Sequence, residues 1–558
     1  MKGVSITYGD YDVTAKDKAT FTAGTPAFFC NVDYLKDYSG LETSYGDPLD
    51  YGTVFLDSKT EPFPDNPLSH NIGFFSSEKV GKNGLGVTST ITVTFNSEVK
   101  SRGITVTFDT ASNGLPILLR VALYQGETSV FVKTIARENI KSNPVAFEFD
   151  ESTSYDKASF IVTGWDIPLA RQHIQSIDFG IGYVFTPEML RDVNVIQEIS
   201  PISAELPANA VDFKMFADGN YNFSARQPVS VHYNGELITT GLIKSFTRSS
   251  KNEWSVKTED YISALDNGSF LGGLYSDVLA SEVLTKIFTQ MSIPYEITSD
   301  FAEAKISGYI PISTCREAVR QICFAIGAVA STAGESGVKI YKLPTAETTV
   351  GLDRIMTGQS VSEDDPVTQV SVSAHEYSPI EDEEKLFEGN AGENILVTFS
   401  SPMHSLTITN GTILTSGVNY AILNAENNCT LNGKKYADNV ITYVKKVPNA
   451  VGENELEITN ATLVNMANAE SVLTRVYDYA ILNKKVDMRV RIGSKPVTYG
   501  NAKYGFAKYG GRIADSAVNV GDIINSDTEY QGAIKGRIIS TRYNLNGGII
   551  VKDCEVLS

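Results

Sequence analysis

Apolar and polar residues alternate strictly along several short stretches in the first third of the chain. Residues 91–95 and 104–108 follow this pattern, and so do residues 147–149. A period of two places the apolar side chains on one face of a strand, so these stretches predict half-buried antiparallel strands. Turn signals such as residues 112–114 separate them, and no convincing amphipathic helix interrupts them. Residues 1–199 are therefore predicted to form a β-sandwich of the jelly-roll type.

A break in composition at residues 200–207, where two prolines fall close together, predicts the start of a second domain. Residues 229–233 then precede the dipeptide Asn234-Gly235, with further apolar residues beyond it. Asn-Gly between alternating apolar residues favours a hairpin with a type I′ turn, which needs positive φ at both central residues. Residues 200–268 are therefore predicted to form a small β-barrel.

Two amphipathic helices are predicted within a small α/β domain at residues 269–362. The first starts near Ser276 and stops before Pro294, with apolar residues at helical spacing. The second starts at Thr314, and Glu317 three residues later completes a capping box.

The remainder of the chain is predicted to hold a second small β-barrel that carries an inserted domain. Residues 363–384 and 464–558 are assigned to this barrel, together with a helix over residues 470–483. Residues 385–463 contain short strands and Asn-Gly turns, and we interpret them as a β-rich insertion. The acidic residues 381–384 are interpreted as a solvated loop that discourages edge pairing. The predicted fold class is mainly β with α+β parts.

A repeat with a period of five places Tyr499, Tyr504 and Tyr509 each before a glycine. This period matches neither a strand nor a helix, so the tyrosines cannot share a face of either. Two interpretations stay open. The tyrosines are exposed and dock on a neighbouring molecule, or they belong to a Gly-rich loop whose rings cover the barrel.

The chain is acidic, with a formal net charge of −19 and a sequence pI near 4.8. Binding to a phosphate backbone needs clustered Lys and Arg, so specific nucleic-acid binding is not expected. The charge suits a conduit that DNA crosses without adhering, because like charges repel. Solubility alone is the simpler explanation of the same charge.

The compartment is predicted from the N-terminus and the cysteines. Residues 1–7 contain no apolar run typical of a signal peptide, and no stretch reaches the roughly 18–20 apolar residues of a membrane span. The odd number of cysteines and the lack of a CxxC pair predict reduced, mostly buried thiols made in a bacterial cytoplasm, and neither a disulfide framework nor a zinc site. The five are Cys30, Cys315, Cys323, Cys429 and Cys554.

Catalytic motifs are missing from the sequence. It has no GxSxG elbow, no HExxH and no phosphate-binding loop, and its five histidines lack metal-like spacing. Trp165 could stack on a sugar ring, although a tryptophan that ends a strand is more often a core residue. Asp150, Asp156 and Asp166 could crowd a calcium ion, but they lack the spacing of an EF-hand loop. We therefore predict a binding or structural protein with no catalytic residue, no metal and no cofactor.

Seven stretches after Ser200 occur together in a characteristic order. They are PVSVHYNGEL (228–237), TGLI (240–243), GGLY (272–275), GYIPISTCREA (308–318), VGDII (520–524), KGRI (535–538) and NGG (546–548). As a set they resemble the hub family of phage and phage-like tails, of the type found in phages of Gram-positive gut bacteria. This family includes the baseplate hubs of contractile tails, tail-associated proteins of long non-contractile tails and the spike of type VI secretion.

The resemblance implies a virion tail protein with two related small β-barrels and an α/β part between them. It also implies a homotrimer, in which two barrels per subunit give a quasi-sixfold ring that joins a sixfold tube to a threefold tip and helps gate DNA passage. The implied partners are distal tail and tube proteins, the tape measure protein, and a central spike or tip fibre.

The N-terminal sandwich resembles galactose-binding-like and carbohydrate-module sandwiches. A host-surface protein that binds cell-wall glycan is therefore an alternative function, with Trp165 as its candidate contact. A cryptic cell-wall hydrolase is a further alternative. We do not expect it, because no peptidase or lysozyme domain follows Ser558.

Overall fold

A computed structural model describes most of the chain, which is mainly β and contains several sheets and a few short helices. The residues described are 3–11, 13–24, 26–27, 30, 32, 35, 44–46, 60–62, 73–109, 114–140, 143–216, 221, 223–233, 236–351, 354–450, 452–492, 518–528, 532–545 and 550–558. The chain divides into an N-terminal unit, residues 6–186 with 227–229, and a C-terminal unit, residues 1–5, 187–226 and 230–558.

Within the described residues, eleven strands and one short α-helix precede residue 187. They are β1 (Val4–Tyr11), α1 (Val13–Lys18), β2 (Ala19–Ala23), β3 (Ser44–Gly46), β4 (Thr60–Pro62), β5 (Phe74–Lys79), β6 (Thr88–Phe108), β7 (Leu118–Gln125), β8 (Thr128–Ala136), β9 (Val145–Thr163), β10 (Arg171–Asp178) and β11 (Gly180–Phe185). The main sheet of the N-terminal unit has the order β5-β10-β6-β9-β7-β8, and β2 also pairs with β6.

Strand β6 shows why this unit folds as the alternation predicts. Ile91 and Val93 are buried, whereas Thr94 between the two halves of the strand is exposed. The register with β9 shifts between Thr94 and Val99 and again between Ser101 and Gly103. Such bulges bend a strand, so one face of the long β6–β9 pair can curve around a single apolar core. The half-buried strand predicted at residues 91–95 is confirmed, whereas residues 104–108 form a strand that is buried on both faces, with Thr105 0% exposed.

The remaining elements follow in the C-terminal unit. The strands are β12 (Leu190–Glu198), β13 (Ala210–Phe216), β14 (Pro228–Tyr233), β15 (Glu236–Arg248), β16 (Glu253–Glu259), β17 (Ser269–Phe270), β18 (Gly273–Leu279), β19 (Tyr295–Ile297), β20 (Lys305–Ile310), β21 (Ser313–Thr314), β22 (Val329–Ser331), β23 (Val338–Tyr341), β24 (Glu347–Val350), β25 (Ile355–Glu363), β26 (Gln369–Gly389), β27 (Gly392–Thr398), β28 (Met403–Ser416), β29 (Tyr420–Lys446), β30 (Glu455–Ile458), β31 (Lys484–Ile492), β32 (Ile523–Thr528), β33 (Gly532–Asn544) and β34 (Ile550–Leu557). The helices are α2 (Tyr261–Ala264), α3 (Ala280–Met291), α4 (Cys315–Ile326) and α5 (Ala469–Ala480).

Two sets of strands share one continuous sheet in this unit. The first strand set, β14-β15-β16-β13-β12, continues into the second strand set through the order β33-β34-β31-β25, with β32 paired to β33 and β24 paired to β32. The junction is the antiparallel pair β12–β33, in which Asn194 lies opposite Asn544 and Glu198 opposite Ser540. Residues far apart in sequence are therefore neighbours in this sheet. The predicted Asn234-Gly235 turn lies outside the described residues.

An α/β part lies between the two strand sets along the chain. Helix α3 begins at Ala280 and not near Ser276, because β18 pairs with β20 up to Leu279. Helix α4 begins as predicted: the Thr314 hydroxyl accepts a hydrogen bond from the backbone N–H of Glu317 at 3.2 Å. Both helices bury one apolar face in a shared core. The predicted N-cap at Thr314 is confirmed, but Glu317 does not complete a capping box, because its carboxylate accepts hydrogen bonds from Arg320 and Gln321. The predicted start of the first helix is corrected.

A further sheet is formed by β26 to β30, in the order β27-β29-β26-β30 with β28 also on β29. Helix α5 packs on it, with Val472 and Val476 buried against Val370 and Val372. The acidic residues 381–384 belong to strand β26 and do not form a loop.

The acidic residues of β26 lie beside basic residues of β29. Lys434 forms an ion pair with Glu381, and Lys435 lies 2.9 Å from Glu384. Cross-strand charge pairs of this kind favour pairing. The interpretation of residues 381–384 as a segment that discourages pairing is therefore corrected.

Two of the domain limits predicted from sequence lie inside a unit or inside a strand of the structure. The composition break at residues 200–207 lies inside the C-terminal unit, between β12 and β13. The limit at 384/385 lies inside β26, which continues to Gly389. Strand pairing determines which segments fold together, and local composition does not show which strands will pair.

We expect Thr314→Ala to lower the stability of the C-terminal unit, because the backbone N–H of Glu317 would lose its acceptor. N-cap losses of this kind cost about 1 kcal/mol. Thermal unfolding of the full chain measures the effect, with Thr314→Ser as the matched control that keeps the hydroxyl. Equal midpoints for the alanine and serine variants would contradict the capping role.

Candidate interaction surface

The sequence analysis proposed three tyrosines as docking residues and Trp165 as a glycan contact, and the structure describes only the tryptophan. Tyr499, Tyr504 and Tyr509 lie outside the described residues, so their docking role stays a prediction. Trp165 is 1% exposed, and its ring packs edge-on against Phe108 with the centroids 5.9 Å apart. A ring buried in this way offers no face to a sugar unless the core opens. Its position agrees with the core interpretation.

The aspartates considered for calcium hold local structure. Asp156 accepts a hydrogen bond from the backbone N–H of Gly126 at 2.9 Å. Asp166 accepts from the N–H of Leu115 at 2.8 Å and from Arg137 Nε at 2.6 Å. The side chain of Asp150 is not among those described. Across the described part of the chain, no group of three or more His, Cys, Asp and Glu side chains is arranged to hold a metal ion.

All five cysteines are buried and none is in a disulfide, which agrees with the prediction from their spacing. Burial raises the pKa of the Cys323 thiol to about 12 and that of Cys554 to about 12. The thiolate is the nucleophilic form of cysteine, so these two thiols are inert near neutral pH.

The histidines described in the structure are held by neighbouring groups. His173 stacks on Phe75, with ring centroids 3.9 Å apart. His375 Nδ1 lies 2.8 Å from Asp438 Oδ2, and His404 Nε2 lies 3.1 Å from the carbonyl oxygen of Lys435. Each of these contacts joins parts of the fold.

One buried carboxylate, Asp260, lies at the centre of a polar network in the C-terminal unit. It accepts hydrogen bonds from the backbone N–H of Asn209 at 2.9 Å, from the N–H of Ser263 at 2.8 Å and from the Thr332 hydroxyl at 3.0 Å. Burial raises the pKa of Asp260 above its ordinary value of 3.8, although these hydrogen bonds act in the opposite direction. The network ties the approach to β13, the N-terminus of α2 and the end of β22, so its role is structural.

We expect the stability contributed by Asp260 to grow as pH falls towards 3.8. Its pKa is higher in the folded protein than in the unfolded chain, so the folded state binds the proton more tightly between the two values. Asp260→Asn removes this titration and replaces one acceptor oxygen by a donor. Thermal unfolding at several pH values should show a gap between wild type and variant that widens below neutral pH. The exposed Asp300→Asn is the control, and a gap independent of pH would contradict the shift.

The surface that sequence analysis missed is an unpaired edge of the longest strand, β29. Residues 421–425 of β29 pair with β27 on one side and with β28 on the other, and most of residues 430–434 pair with β26 and with β28. Beyond Tyr436 the strand pairs only with β26, in an unbroken register that ends at Gln369 opposite Lys446. Among the residues described, no strand pairs with the other side. We call residues 437–446 of β29 the open edge.

The backbone groups of the open edge point away from the sheet at every second residue. The N–H of His375 donates to the carbonyl of Val464 at 2.8 Å, on the side of β26 that faces away from β29. Val440 lies opposite His375, and opposite residues in an antiparallel pair face either towards or away from each other. The N–H and C=O of Val440 therefore point outward, and those of the other even-numbered residues follow.

The other end of the register agrees with this assignment. The N–H of Val447 donates to the carbonyl of Thr368 at 2.9 Å, so odd-numbered residues of this strand face β26. Asp438, Thr442, Val444 and Lys446 therefore present their backbone groups outward along with Val440.

The side chains of the open edge make it apolar at its centre. Val440, Ile441 and Val444 are 51%, 46% and 49% exposed. Val440 and Val444 lie on one face of the strand and Ile441 on the other. The face of Ile441 is partly covered, since Lys445 Nζ on that face lies 3.9 Å from the centroid of the Tyr477 ring on α5. A long, regular and apolar edge of this kind is a template for pairing with another strand. The signal in the sequence is the run Val-Ile-Thr-Tyr-Val at 440–444, but a β-branched run does not show whether its strand is central or at an edge.

None of the helices in the described residues is long and apolar enough to cross a membrane. No family model matches the chain, and no curated protein sequence does.

Solved structures similar to this chain include two tail proteins. The 43 kDa tail protein of prophage MuSo2 from Shewanella oneidensis is 10% identical, with 67% of this chain and 95% of that chain covered and a TM-score of 0.41. The tail protein from Neisseria meningitidis MC58 is 13% identical, with 66% and 92% covered and a TM-score of 0.40. The family 32 CBM from C. perfringens NanJ, solved with galactose, is 11% identical, with 32% and 99% covered and a TM-score of 0.19. Scores of this size do not establish a common fold.

Proposed function

We propose that this chain is a structural protein of a bacteriophage tail tip, of the baseplate-hub type, and that it is not an enzyme. The observation that carries the proposal is the ordered set of seven stretches after Ser200 that resembles the hub family. Such a protein acts through the surfaces it offers to other tail proteins. The cysteine thiols described above are buried, and the histidines are held by contacts within the fold, which is in keeping with that role.

The places of these stretches in the fold support the proposal. Residues 228–237 and 240–243 fall on β14 and β15 of the first strand set, and residues 520–524 and 535–538 fall on or beside β32 and β33 of the second. Residues 308–318 contain the capped start of α4. The stretches within the described residues thus lie in both strand sets and in the α/β part between them, whereas residues 546–548 lie outside the described residues.

The backbone conformation at Gly272 explains why the stretch 272–275 begins with a glycine. Its φ of +68° is one that side chains rarely adopt, and an added Cβ would lie 2.1 Å from the carbonyl oxygen of Ile310. The same turn is bound by Asn419, whose Nδ2 donates to the carbonyls of Leu271 at 2.8 Å and Ile310 at 3.0 Å. Glycine at this position lets the sheet of β26 to β30 attach to the α/β part.

A trimer would turn the two strand sets into a symmetry adaptor. Three subunits with two sets each present six similar positions to a sixfold tube, while the assembly itself keeps threefold symmetry for a central spike or tip fibre. The pair β12–β33 holds the two sets side by side in one sheet, as this arrangement requires. Tube proteins, the tape measure protein and the tip component are the partners in this proposal, and a gated passage for DNA is its consequence.

The proposal is tested by cryo-electron microscopy of the tail tip of the intact particle, with this sequence traced in the map. We expect a threefold ring directly below the last sixfold layer of the tube. A peripheral position in six or more copies would contradict the hub role and would identify an adsorption protein instead.

The same map tests the meaning of the net charge of −19. If the charge keeps DNA from adhering, side chains that face the channel will be predominantly acidic. A channel lined by neutral or basic side chains would contradict this and would leave solubility as the reason for the charge.

A further inference from the structure

We infer that the open edge of β29 binds the open edge of a second copy of this chain, so that two sheets join as one antiparallel sheet centred on Thr442. The inference starts from the backbone. Only residues whose N–H and C=O point outward can form hydrogen bonds across a new strand pair, and in the open edge these are the even-numbered ones. Two copies can therefore pair only in registers that place even-numbered residues opposite even-numbered residues.

Charge selects one register among these. With Thr442 opposite its own counterpart, Asp438 lies opposite Lys446 at both ends of the contact. Opposite charges on directly facing residues of a strand pair are favourable, and like charges are unfavourable. A shift by two residues in one direction brings Pro448 opposite Asp438, and proline has no N–H to donate. A parallel arrangement would set Asp438 beside Asp438 and Lys446 beside Lys446.

The side chains between the charged ends are also complementary. Val440 lies opposite Val444 twice in this register, and these are the two exposed valines of the even-numbered face. β-branched residues facing each other across a strand pair are favourable. The carboxylate of Asp438 also contacts His375 Nδ1 at 2.8 Å, but a carboxylate has about four acceptor sites and can still accept from Lys446.

The contact is two-fold, because the same residues contribute from both copies. A two-fold contact cannot close a threefold ring, so it belongs to the free protein and must separate when the subunit enters a tail of the kind proposed above. Its consequence is protective, since an exposed apolar edge otherwise promotes uncontrolled strand addition. The inference does not depend on the proposed function and can be tested on the purified full-length chain.

The first test replaces the central residue of the contact. In Thr442→Pro the lost N–H points away from β26, so the fold loses no internal hydrogen bond, whereas the centre of the contact loses two. Sedimentation equilibrium should show a two-subunit species for the wild type, and self-association should be at least tenfold weaker for the variant. The control is Val132→Lys on β8, which changes an apolar residue of the N-terminal unit that is 50% exposed and should leave association unchanged.

Three outcomes of this test would overturn the inference. They are a wild type that stays a single subunit up to the highest soluble concentration, a wild-type association that Thr442→Pro does not weaken, and a three-subunit species without any two-subunit or six-subunit form. Unchanged thermal unfolding of Thr442→Pro shows that weaker association does not come from loss of the fold.

The second test reads the register directly. Residues opposite each other in a hydrogen-bonded antiparallel pair have Cα atoms about 5.5 Å apart, within the range of a disulfide. Thr442→Cys should therefore give a covalent dimer when oxidised with glutathione disulfide, because the five native cysteines are buried. Val440→Cys is the matched control, since its counterpart lies four residues along the strand, about 14 Å away. Equal cross-linking of both variants, or of neither, would overturn the centred register.

Discussion

The antiparallel pairing of β12 with β33 is the interaction on which the C-terminal unit depends. It brings Asn194 opposite Asn544 and so joins the first strand set to the second. The entropy lost on closing a loop rises only slowly with its length. The long stretch between β12 and β33 therefore adds little to the entropic cost of pairing them. The contacts of this pair are non-local, which predicts slow folding for this unit. Between β12 and β33 the chain also forms the α/β part and the sheet of β26 to β30 before it returns to this junction.

Unpaired strand edges are the second constraint, because a sheet that does not close must end somewhere. In the region of β26 to β30 most of the long strand β29 has neighbours on both sides. Its last ten residues have one neighbour among the residues described, and the apolar side chains there are about half exposed. Natural proteins usually protect such edges with bulges, prolines or charges. Here charges lie at the two ends of the edge, Asp438 and Lys446, while residues 440–444 between them carry neither a charge nor a proline. An edge of this kind is explained better by a binding partner than by solvent.

The polar groups inside the C-terminal unit serve the fold. Asp260 joins the approach to β13, helix α2 and the end of β22, and Asn419 joins the β28–β29 connection to the α/β part. A buried carboxylate is costly unless its hydrogen bonds are made, and here three donors converge on it. A buried carboxylate with a raised pKa resembles a catalytic group, because catalytic carboxylates are often shifted in the same way. The partners of Asp260 are backbone N–H groups and a hydroxyl, which stabilise a carboxylate but do not prepare it for chemistry.

Local sequence patterns were enough to predict the class of the fold and many of its short-range features. Alternation at residues 91–95 predicted a half-buried strand, and Thr314 with Glu317 predicted the start of α4, because both signals depend on neighbours within a few positions. The odd number of cysteines and the lack of a CxxC pair predicted free, buried thiols. Other features depend on residues that are distant in the sequence, and only the three-dimensional structure shows them. Residues 273–279 form a strand because β20 lies beside them, and the acidic residues 381–384 form a strand because Lys434 and Lys435 lie opposite. The run at 440–444 is β-branched in any context, but only the pairing of β29 decides that one of its sides is left open.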